Sequence, residues 1–361
     1  MSRFWSPFVH ALTPYTPGEQ PRHQNFIKLN TNENPFGPSP LALEGIRSAT
    51  DDGLRRYPDP SSVELRRAIS ATLGLEGDHV FIGNGSDEVL AHSFNAFFRE
   101  KGTIHFPDVT YSFYRTYCSL YGLPFCEIPL DEAFRCDPSQ YRGRSGGIVI
   151  ANPNAPTGIA MKLKGIEEIL ERNTDIVVIV DEAYVDFGAQ SAAELVPRYE
   201  NLVVVQTFSK SRSLAGLRVG FAVAQPHLID ALVRVKDSFN SYPVGSLALA
   251  GALGAWSDQD WFDKTRRQVM VSRDRMAGAL KELGFRVPLS AVNFLFVSHE
   301  RVPAEEILME LRSRGVLVRH FKQDRIRNWL RVSVGTPDEC EKFLEAIADI
   351  VERVPTSNNI G

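Results

Sequence analysis

Residues 176–184 read IVVIVDEAY, an apolar run that ends in two acidic residues and a tyrosine. The run is apolar at every position rather than at alternate ones, which is typical of a strand buried on both faces of a parallel sheet. Asp181 and Tyr184 would then lie at the carboxyl end of that strand, where open α/β sheets bind their ligands. The stretch therefore predicts both a fold class and the place of a site.

Further apolar runs on either side of this stretch extend the pattern. They are GIVIA at 147–151, LVVV at 202–205 and VGFAV at 219–223. The first leads into polar residues at 152–158, and the second into polar residues at 206–210. Helical patterns separate the runs, so the chain is predicted to be α/β with a mostly parallel sheet. Polar groups from three loops would meet in one crevice.

An arm and two domains are predicted. Residues 1–40 are rich in Pro, Asn, Thr and Gly, which disfavours a long helix and indicates a tail or an extended arm. Residues 41–240 contain the apolar runs and form the predicted large domain, and residues 241–361 mix helices with short strands, as in a smaller α+β domain. The predicted helices are 63–73, 166–171, 228–239, 260–283, 304–314 and 337–354, and the predicted strands of the smaller domain are 292–297, 316–319 and 329–334.

Composition excludes several classes of function. The 361 residues carry 40 Lys+Arg and 44 Asp+Glu, a net charge of -4, which gives no basic footprint for nucleic acid or an anionic membrane. The cysteines and histidines show no disulfide-like or metal-ligand spacing, so no metal is expected. The sequence lacks a membrane-length apolar segment and a signal-like N-terminus, which predicts a cytoplasmic protein. An anionic ligand must then be bound by local groups.

Asp181 and Lys210 are candidate catalytic residues on chemical grounds. An acid at the end of a buried strand needs a partner, either a protonated heteroaromatic nitrogen, such as the pyridinium of pyridoxal phosphate, or the N–H groups of a helix that it caps. Lys210 has serine neighbours, and Arg212 and Arg218 lie close in sequence. Nearby cations and desolvation lower the pKa of a lysine and make it nucleophilic. The ordinary alternatives are a surface lysine for Lys210 and a core tyrosine for Tyr184.

The stretch GNGSDE at 83–88 precedes a helical face with apolar residues at 90, 94 and 98. Glycine permits close approach of the backbone, and free N–H groups at a helix start bind phosphate. The stretch lacks the Gly-Lys-Ser/Thr ending of a Walker A loop and the third glycine of a dinucleotide fingerprint. It therefore predicts either a phosphate site of another kind or a plain helix cap.

Short motifs along nearly the whole chain have a familiar order. They are LNTNENP (29–35), RYP (56–58), GSDE (85–88), YSFY (111–114), NPNAPTG (152–158), DEAY (181–184), SK (209–210), LAGLRVG (214–220), NF (293–294), VR (318–319) and LRVSVGT (330–336). In this order the chain resembles the fold-type-I pyridoxal-phosphate-dependent aminotransferases, and within them the histidinol-phosphate aminotransferases. The resemblance implies a three-layer α/β/α large domain, a smaller α+β domain, pyridoxal phosphate as cofactor, and a homodimer with shared active sites.

The same resemblance implies roles for individual residues. Lys210 would bind the cofactor covalently and move a proton, and Asp181 would keep the ring nitrogen protonated. Tyr184 would donate a hydrogen bond to the ring oxygen, and Tyr111 would stack on the ring. The cofactor phosphate would be bound by Gly85, Ser86, Asp87, Ser209 and Arg218, and by Tyr57 of the second subunit.

On the substrate side, the resemblance assigns two arginines to the phosphate of the substrate. These are Arg319 and Arg331, with Tyr15 and Asn34 of the N-terminal arm as further substrate-binding residues. The implied reaction transfers the amino group of L-histidinol phosphate to 2-oxoglutarate, which yields imidazole acetol phosphate and L-glutamate in histidine biosynthesis.

The chain departs from the family at one position of the cofactor site. The residue before Pro-Thr-Gly, an asparagine in the family that contacts the ring oxygen, is Ala155. Either Asn152 or Asn154 supplies this contact from a shifted backbone, or Tyr184 makes it without them. Asn154 is the residue that we assign to the cofactor.

Other functions share most of these motifs. An aromatic amino-acid aminotransferase and a decarboxylase of phosphorylated amino acids would differ in substrate or in the bond that breaks. A binding protein that has lost catalysis is a third alternative. The intact Lys210, Asp181, Tyr184 and Arg218 argue against that last class.

Overall fold

The structure is a computed structural model, and it describes residues 2–14, 18–20, 26–143 and 145–353. The helices are α1 (Pro7–Ala11), α2 (Pro40–Ser48), α3 (Val63–Leu73), α4 (Gly85–Phe97), α5 (Phe113–Tyr121), α6 (Leu163–Arg172), α7 (Pro226–Asp237), α8 (Ser246–Ser257), α9 (Gln259–Glu282), α10 (Ala304–Ser313) and α11 (Pro337–Glu352). The strands are β1 (Ile27–Lys28), β2 (Val80–Gly83), β3 (Ile104–Pro107), β4 (Phe125–Ile128), β5 (Gly147–Ala151), β6 (Val178–Asp181), β7 (Leu202–Thr207), β8 (Gly220–Ala224), β9 (Phe285–Arg286), β10 (Phe294–His299), β11 (Val316–Leu317), β12 (Arg319–His320) and β13 (Leu330–Ser333).

A large sheet positions the site. Within the described residues its strand order is β2-β8-β7-β6-β5-β3-β4. Strands β3, β4, β5, β6 and β7 all run in the same direction. Strand β8 runs antiparallel to both of its neighbours, β7 and β2. The carboxyl ends of β2, β5, β6 and β7 therefore meet at one edge of the sheet.

Alternate residues of the central strands pack into two different hydrophobic cores. Val178 and Val180 of β6 pack with side chains of α2, α3, α6 and α8, whereas Ile179 packs on the opposite face with side chains of α4, α5 and α7. Strands β5 and β7 alternate in the same way. Because both faces are covered, the runs are apolar at every position. The predicted three-layer α/β/α architecture is confirmed.

A second, antiparallel sheet has the strand order β12-β13-β10-β9 in the described chain. It shares a core with α9, α10 and α11, which matches the smaller α+β part of the predicted fold. Strand β1 pairs in parallel with β11, so the N-terminal segment is joined to this C-terminal part. The domain limits at residues 40 and 240 stay predictions. Within the described ranges, no helix combines the length and the apolarity that crossing a membrane requires.

The structure differs from the predicted elements in a few places. The predicted strand 316–319 is two short strands, because β11 pairs with β1 while β12 pairs with β13. The apolar run 219–223 corresponds to β8, the antiparallel strand of the large sheet. Helix α8 was not predicted, since its sequence, SLALAGALGAWS, is apolar on nearly all sides and has no helical period.

Candidate active site

A cavity of about 180 Å³ lies at the carboxyl edge of the large sheet. The ends of β5, β6 and β7, the start of α4, and strands β12 and β13 contribute to its wall. The structure thus brings together residues that are far apart in the sequence. The predicted site residues that line the cavity are Ser86, Asp87, Tyr111, Asp181, Tyr184, Ser209, Lys210, Arg218, Arg319 and Arg331.

Asp181 is the last residue of β6 and one of the most buried charged groups of the site, with 5% of its surface exposed. Burial raises the pKa of its carboxyl group to about 6, against the hydrogen bonds that it accepts. Those bonds come from the Tyr114 hydroxyl at 2.8 Å and from the backbone N–H of Ala183 at 3.2 Å. A carboxylate in this setting gains from a cation beside it in the cavity.

Lys210 projects into the cavity from the loop that follows β7. Its ammonium group donates to the backbone carbonyl of Thr31 at 3.3 Å and lies 5.6 Å from the centre of the Tyr184 ring. The Asn34 side chain donates to the carbonyls of Lys210 and Ser211, at 3.0 and 3.1 Å, and so holds this loop. The lysine therefore has a fixed backbone and a side-chain end that faces the cavity.

The start of helix α4 is shaped for close contact with the strand β8. A Cβ atom on Gly220 would lie 2.3 Å from the backbone nitrogen of Ser86, and Gly85 has a φ of 82° that favours glycine. Asn84 does not cap the helix, because its side chain donates to the carbonyl of Pro243. The first N–H groups of α4 have no acceptor within the helix and carry its positive dipole end.

Charged side chains surround this helix start. Arg218 donates to the Asp87 carboxylate at 2.9 Å, and Tyr111 donates to the other oxygen of the same carboxylate at 2.9 Å. The Ser209 hydroxyl, which lies 3.0 Å from the hydroxyl of Thr207, completes the polar rim. The side chain of Asp87 is thus held by the protein, which leaves its backbone N–H for an anion.

Arg319 and Arg331 lie opposite each other on neighbouring antiparallel strands, β12 and β13. Side chains at paired positions project from the same face of a sheet and lie close together. Arg331 donates to the carbonyl of Asn30 at 3.1 Å, and its guanidinium lies near the rings of Phe294 and Phe321. Two like charges side by side repel each other, so this pair favours an anion between or beside them.

Some predicted residues lie elsewhere. Asn154 donates to the carbonyl of Val109 and the hydroxyl of Thr157, and accepts from Thr110, so its amide is engaged away from the cavity. Asn152 bonds with the backbone of Met161. Neither amide lines the cavity, whereas Ala155 does.

The predicted residues Gly85, Asn34 and Tyr57 are not part of the cavity wall. The Asn34 side chain holds the loop that carries Lys210, and the predicted role of Asn34 in substrate binding stays a prediction. Tyr57 is 81% exposed and stacks on Tyr242, with ring centres 4.6 Å apart. Tyr15 lies outside the described residues.

The sequence left other residues of the site without a role. Tyr114 is fully buried and bonds with Asp181, and Asn32 donates to the hydroxyl of Tyr184. Both belong to motifs recognised in the sequence, but neither has a spacing that reveals its partner.

The family to which the chain belongs follows from comparison with known proteins. A family model described as aminotransferase class I and II matches residues 24–347. The chain therefore belongs to the class I and II aminotransferases. The resemblance expected from the motifs is confirmed at the level of this family.

Individual relatives narrow the comparison. A histidinol-phosphate aminotransferase of Acetobacter pasteurianus is 54% identical over 351 residues, which cover 97% of this chain and 99% of the relative. A histidinol-phosphate aminotransferase 1 of Bordetella parapertussis is 56% identical over 353 residues, with 97% and 99% covered. The crystal structure of a histidinol-phosphate aminotransferase from Sinorhizobium meliloti, in complex with pyridoxal-5'-phosphate, is similar with a TM-score of 0.88 at 21% identity, over 98% of this chain and 99% of that one.

Proposed function

We propose that this chain is a pyridoxal-phosphate-dependent aminotransferase that exchanges the amino group of L-histidinol phosphate with 2-oxoglutarate. The observation that carries the proposal is one cavity that contains a lysine, a buried carboxyl group and two separate sets of anion-binding groups. Two such sets suit a reaction in which both cofactor and substrate carry a phosphate. Two relatives that are more than 50% identical to this chain are named histidinol-phosphate aminotransferase.

The residues of the cavity fit the cofactor. Asp181 suits a protonated ring nitrogen, since its burial makes an unpaired charge costly and a cation restores the balance. The start of α4, with Arg218 and Ser209, suits the phosphate group. Bound there, pyridoxal phosphate supplies an aldehyde that captures the substrate amine and a ring that accepts electrons when a bond to Cα breaks.

The chain's own residues then bind, orient and move protons. Asp181 would keep the ring nitrogen protonated, Tyr111 would cover one face of the ring, and the Tyr184 hydroxyl would donate to the ring oxygen. The Lys210 nitrogen would hold and move the proton that leaves Cα of the substrate. In the half-reaction with 2-oxoglutarate, Lys210 would move a proton in the opposite direction, back to Cα.

The substrate's phosphate is bound by Arg319 and Arg331. Guanidinium groups bind phosphate in a bidentate way, and two of them side by side match its charge at neutral pH. The carboxylate of glutamate uses the same pair in the other half-reaction. L-Phenylalanine offers this pair a single carboxylate, whereas L-histidinol phosphate offers a phosphate of higher charge, which favours the phosphorylated substrate.

A homodimer completes the site in this proposal. Tyr57 and Tyr242 stack into an aromatic surface patch, in which the two side chains are 81% and 42% exposed. Contiguous exposed apolar groups mark interaction surfaces. We place the patch against the second subunit, where the Tyr57 hydroxyl reaches the cofactor phosphate of that subunit.

The test is a substrate panel at equal enzyme concentration. We expect turnover of L-histidinol phosphate with 2-oxoglutarate. Its kcat/KM should be at least about 100-fold above that of L-phenylalanine, because the two arginines bind the phosphate group that phenylalanine lacks. Preference for phenylalanine would replace the proposal by an aromatic aminotransferase. Release of CO2 from L-threonine phosphate would replace it by a decarboxylase.

A further inference from the structure

A hydrogen-bond network behind Tyr184 connects the N-terminal segment to the candidate active site. The side chain of Asn32 donates through Nδ2 to the Tyr184 hydroxyl at 3.0 Å. Its backbone N–H donates to the Ser333 hydroxyl at 2.8 Å, and Oδ1 accepts from that hydroxyl at 2.9 Å. Asn32 is 1% exposed, so these bonds form away from bulk water.

The network fixes the direction of each bond. The Ser333 oxygen accepts from the backbone N–H of Asn32, and the Ser333 hydroxyl donates its own hydrogen to Oδ1 of Asn32. The amide of Asn32 is thereby oriented with Nδ2 toward Tyr184. The phenol oxygen of Tyr184 accepts that hydrogen, and its own O–H has no acceptor among the described residues. The Tyr184 hydrogen is therefore free to point into the cavity.

Beside Tyr184, position 155 has a methyl group where the family has a side-chain amide. Ala155 pairs with Val292 and Phe294 in a small apolar cluster against which Tyr184 packs. The neighbouring Asn152 and Asn154 are engaged with other partners, as described above. A ring oxygen in front of this wall thus depends on the Tyr184 hydroxyl.

We propose that Asn32 is a positioning residue that acts through Tyr184, turning its hydroxyl toward the cofactor's ring oxygen and so compensating for the alanine at position 155. This inference rests on the proposed function. Because a hydroxyl that accepts a hydrogen bond becomes a stronger donor, Asn32 also strengthens the bond that Tyr184 gives.

A purely structural role for Asn32 accounts for less. Its φ of 57° lies in the left-handed region, which asparagine tolerates better than most residues. Glycine and aspartate tolerate it as well. The segment is also anchored without the amide, since Ser333 N–H donates to the carbonyl of Leu29 and Asn293 donates to the carbonyl of Asn32. What asparagine adds over glycine and aspartate is an amide hydrogen that points at the Tyr184 hydroxyl.

The test measures the pH at which the visible absorption band of the lysine-bound cofactor changes. A hydrogen bond to the ring oxygen stabilises negative charge there and weakens the hold on the nearby proton, so loss of the bond raises this midpoint. In Asn32→Gly, which keeps the backbone conformation, we expect a rise of about 0.5 to 1 pH unit. Asn32→Asp should raise it further, because a carboxylate accepts the Tyr184 hydrogen and turns it away from the cavity.

A double-mutant cycle with Tyr184→Phe separates this role from a general perturbation. Without the hydroxyl, Asn32→Gly should cause no additional shift. The thermal midpoint of the cofactor-free protein shows whether each variant is folded. If Asn32→Asp does not fold, Asn32→Gly and its double-mutant cycle with Tyr184→Phe test the inference without it.

Two results would overturn the inference. One is an unchanged midpoint in every folded Asn32 variant, and the other is a glycine shift that persists in full in the Tyr184→Phe background. Failure of the proposed function looks different, since the wild-type protein would then show no visible band with added pyridoxal phosphate.

Discussion

The two sides of the cavity are built in different ways. The strand-end side consists of Asp181, Tyr184, Ser209 and Lys210, which follow adjacent parallel strands of one buried sheet. The arginine side consists of Arg319 and Arg331, on a small antiparallel sheet to which the N-terminal segment is joined. Under the proposed function, the first side would carry out the chemistry common to transaminases, and the second would select the substrate by its charge.

The electrostatics of the two sides differ as well. The Asp181 carboxyl is buried in one side, and burial raises its pKa. The other side has two adjacent guanidinium groups. We therefore expect changes on the strand-end side to affect every substrate and to depend on pH, and changes on the arginine side to discriminate among substrates.

The largest effect should come from removing the lysine. Lys210→Ala should reduce turnover of every amino substrate by about 10⁴-fold or more, because both the covalent attachment and the proton transfer are lost. The matched control is Lys164→Ala on the exposed face of α6, which should leave turnover unchanged. Steady-state kinetics with L-histidinol phosphate and with L-glutamate provide the measurement.

Arg331→Ala should affect substrates selectively. Loss of a bidentate charged contact, about 3 kcal/mol, should lower kcat/KM for L-histidinol phosphate by about 100-fold. L-histidinol, which lacks the phosphate, is the control substrate and should change much less. An equal loss for both substrates would place the arginine's effect on the fold rather than on the phosphate.

The pH dependence of cofactor binding should reflect the protonation state of the Asp181 carboxyl group. Below its pKa of about 6 the carboxyl is neutral and cannot hold a protonated ring nitrogen, so affinity should fall about tenfold per pH unit below that point. Stability of the cofactor-free protein should change in the opposite sense through this group. Its folded pKa is raised, so its contribution favours the folded state at low pH and is lost as the pH rises through about 6. Asp181→Asn should flatten both dependences, measured by cofactor titration and by denaturant unfolding.

The smallest effect should come from Tyr57, which lies outside both sides of the cavity in its own chain. Tyr57→Phe should weaken cofactor binding about fivefold to tenfold, by loss of one hydrogen bond to a phosphate. A hybrid dimer of a Tyr57→Phe chain and a Lys210→Ala chain should contain one site with wild-type affinity, since its lysine and tyrosine come from different subunits. No recovery in the hybrid would mean that Tyr57 does not act across an interface.

The strand-end side was largely predictable from the sequence, because a buried parallel strand is apolar at every position and its end is therefore visible. Asp181 and Lys210 could be placed at the same edge for this reason. The partners of these residues could not be predicted. Tyr114 reaches Asp181 across 67 residues and Asn32 reaches Tyr184 across 152, and no local period reports such tertiary contacts. The pairing of Arg319 with Arg331 likewise depends on strand register, which the short strands of this region do not reveal.

The most direct test of the central claim is to map the residue that binds the cofactor. The protein is saturated with pyridoxal phosphate, treated with borohydride, digested and analysed by mass spectrometry. We expect the visible band to disappear and the reduced cofactor to be attached to Lys210 at close to one equivalent per chain. A label on another lysine, or a protein that never develops the band, would contradict the assignment of the strand-end side as the cofactor site.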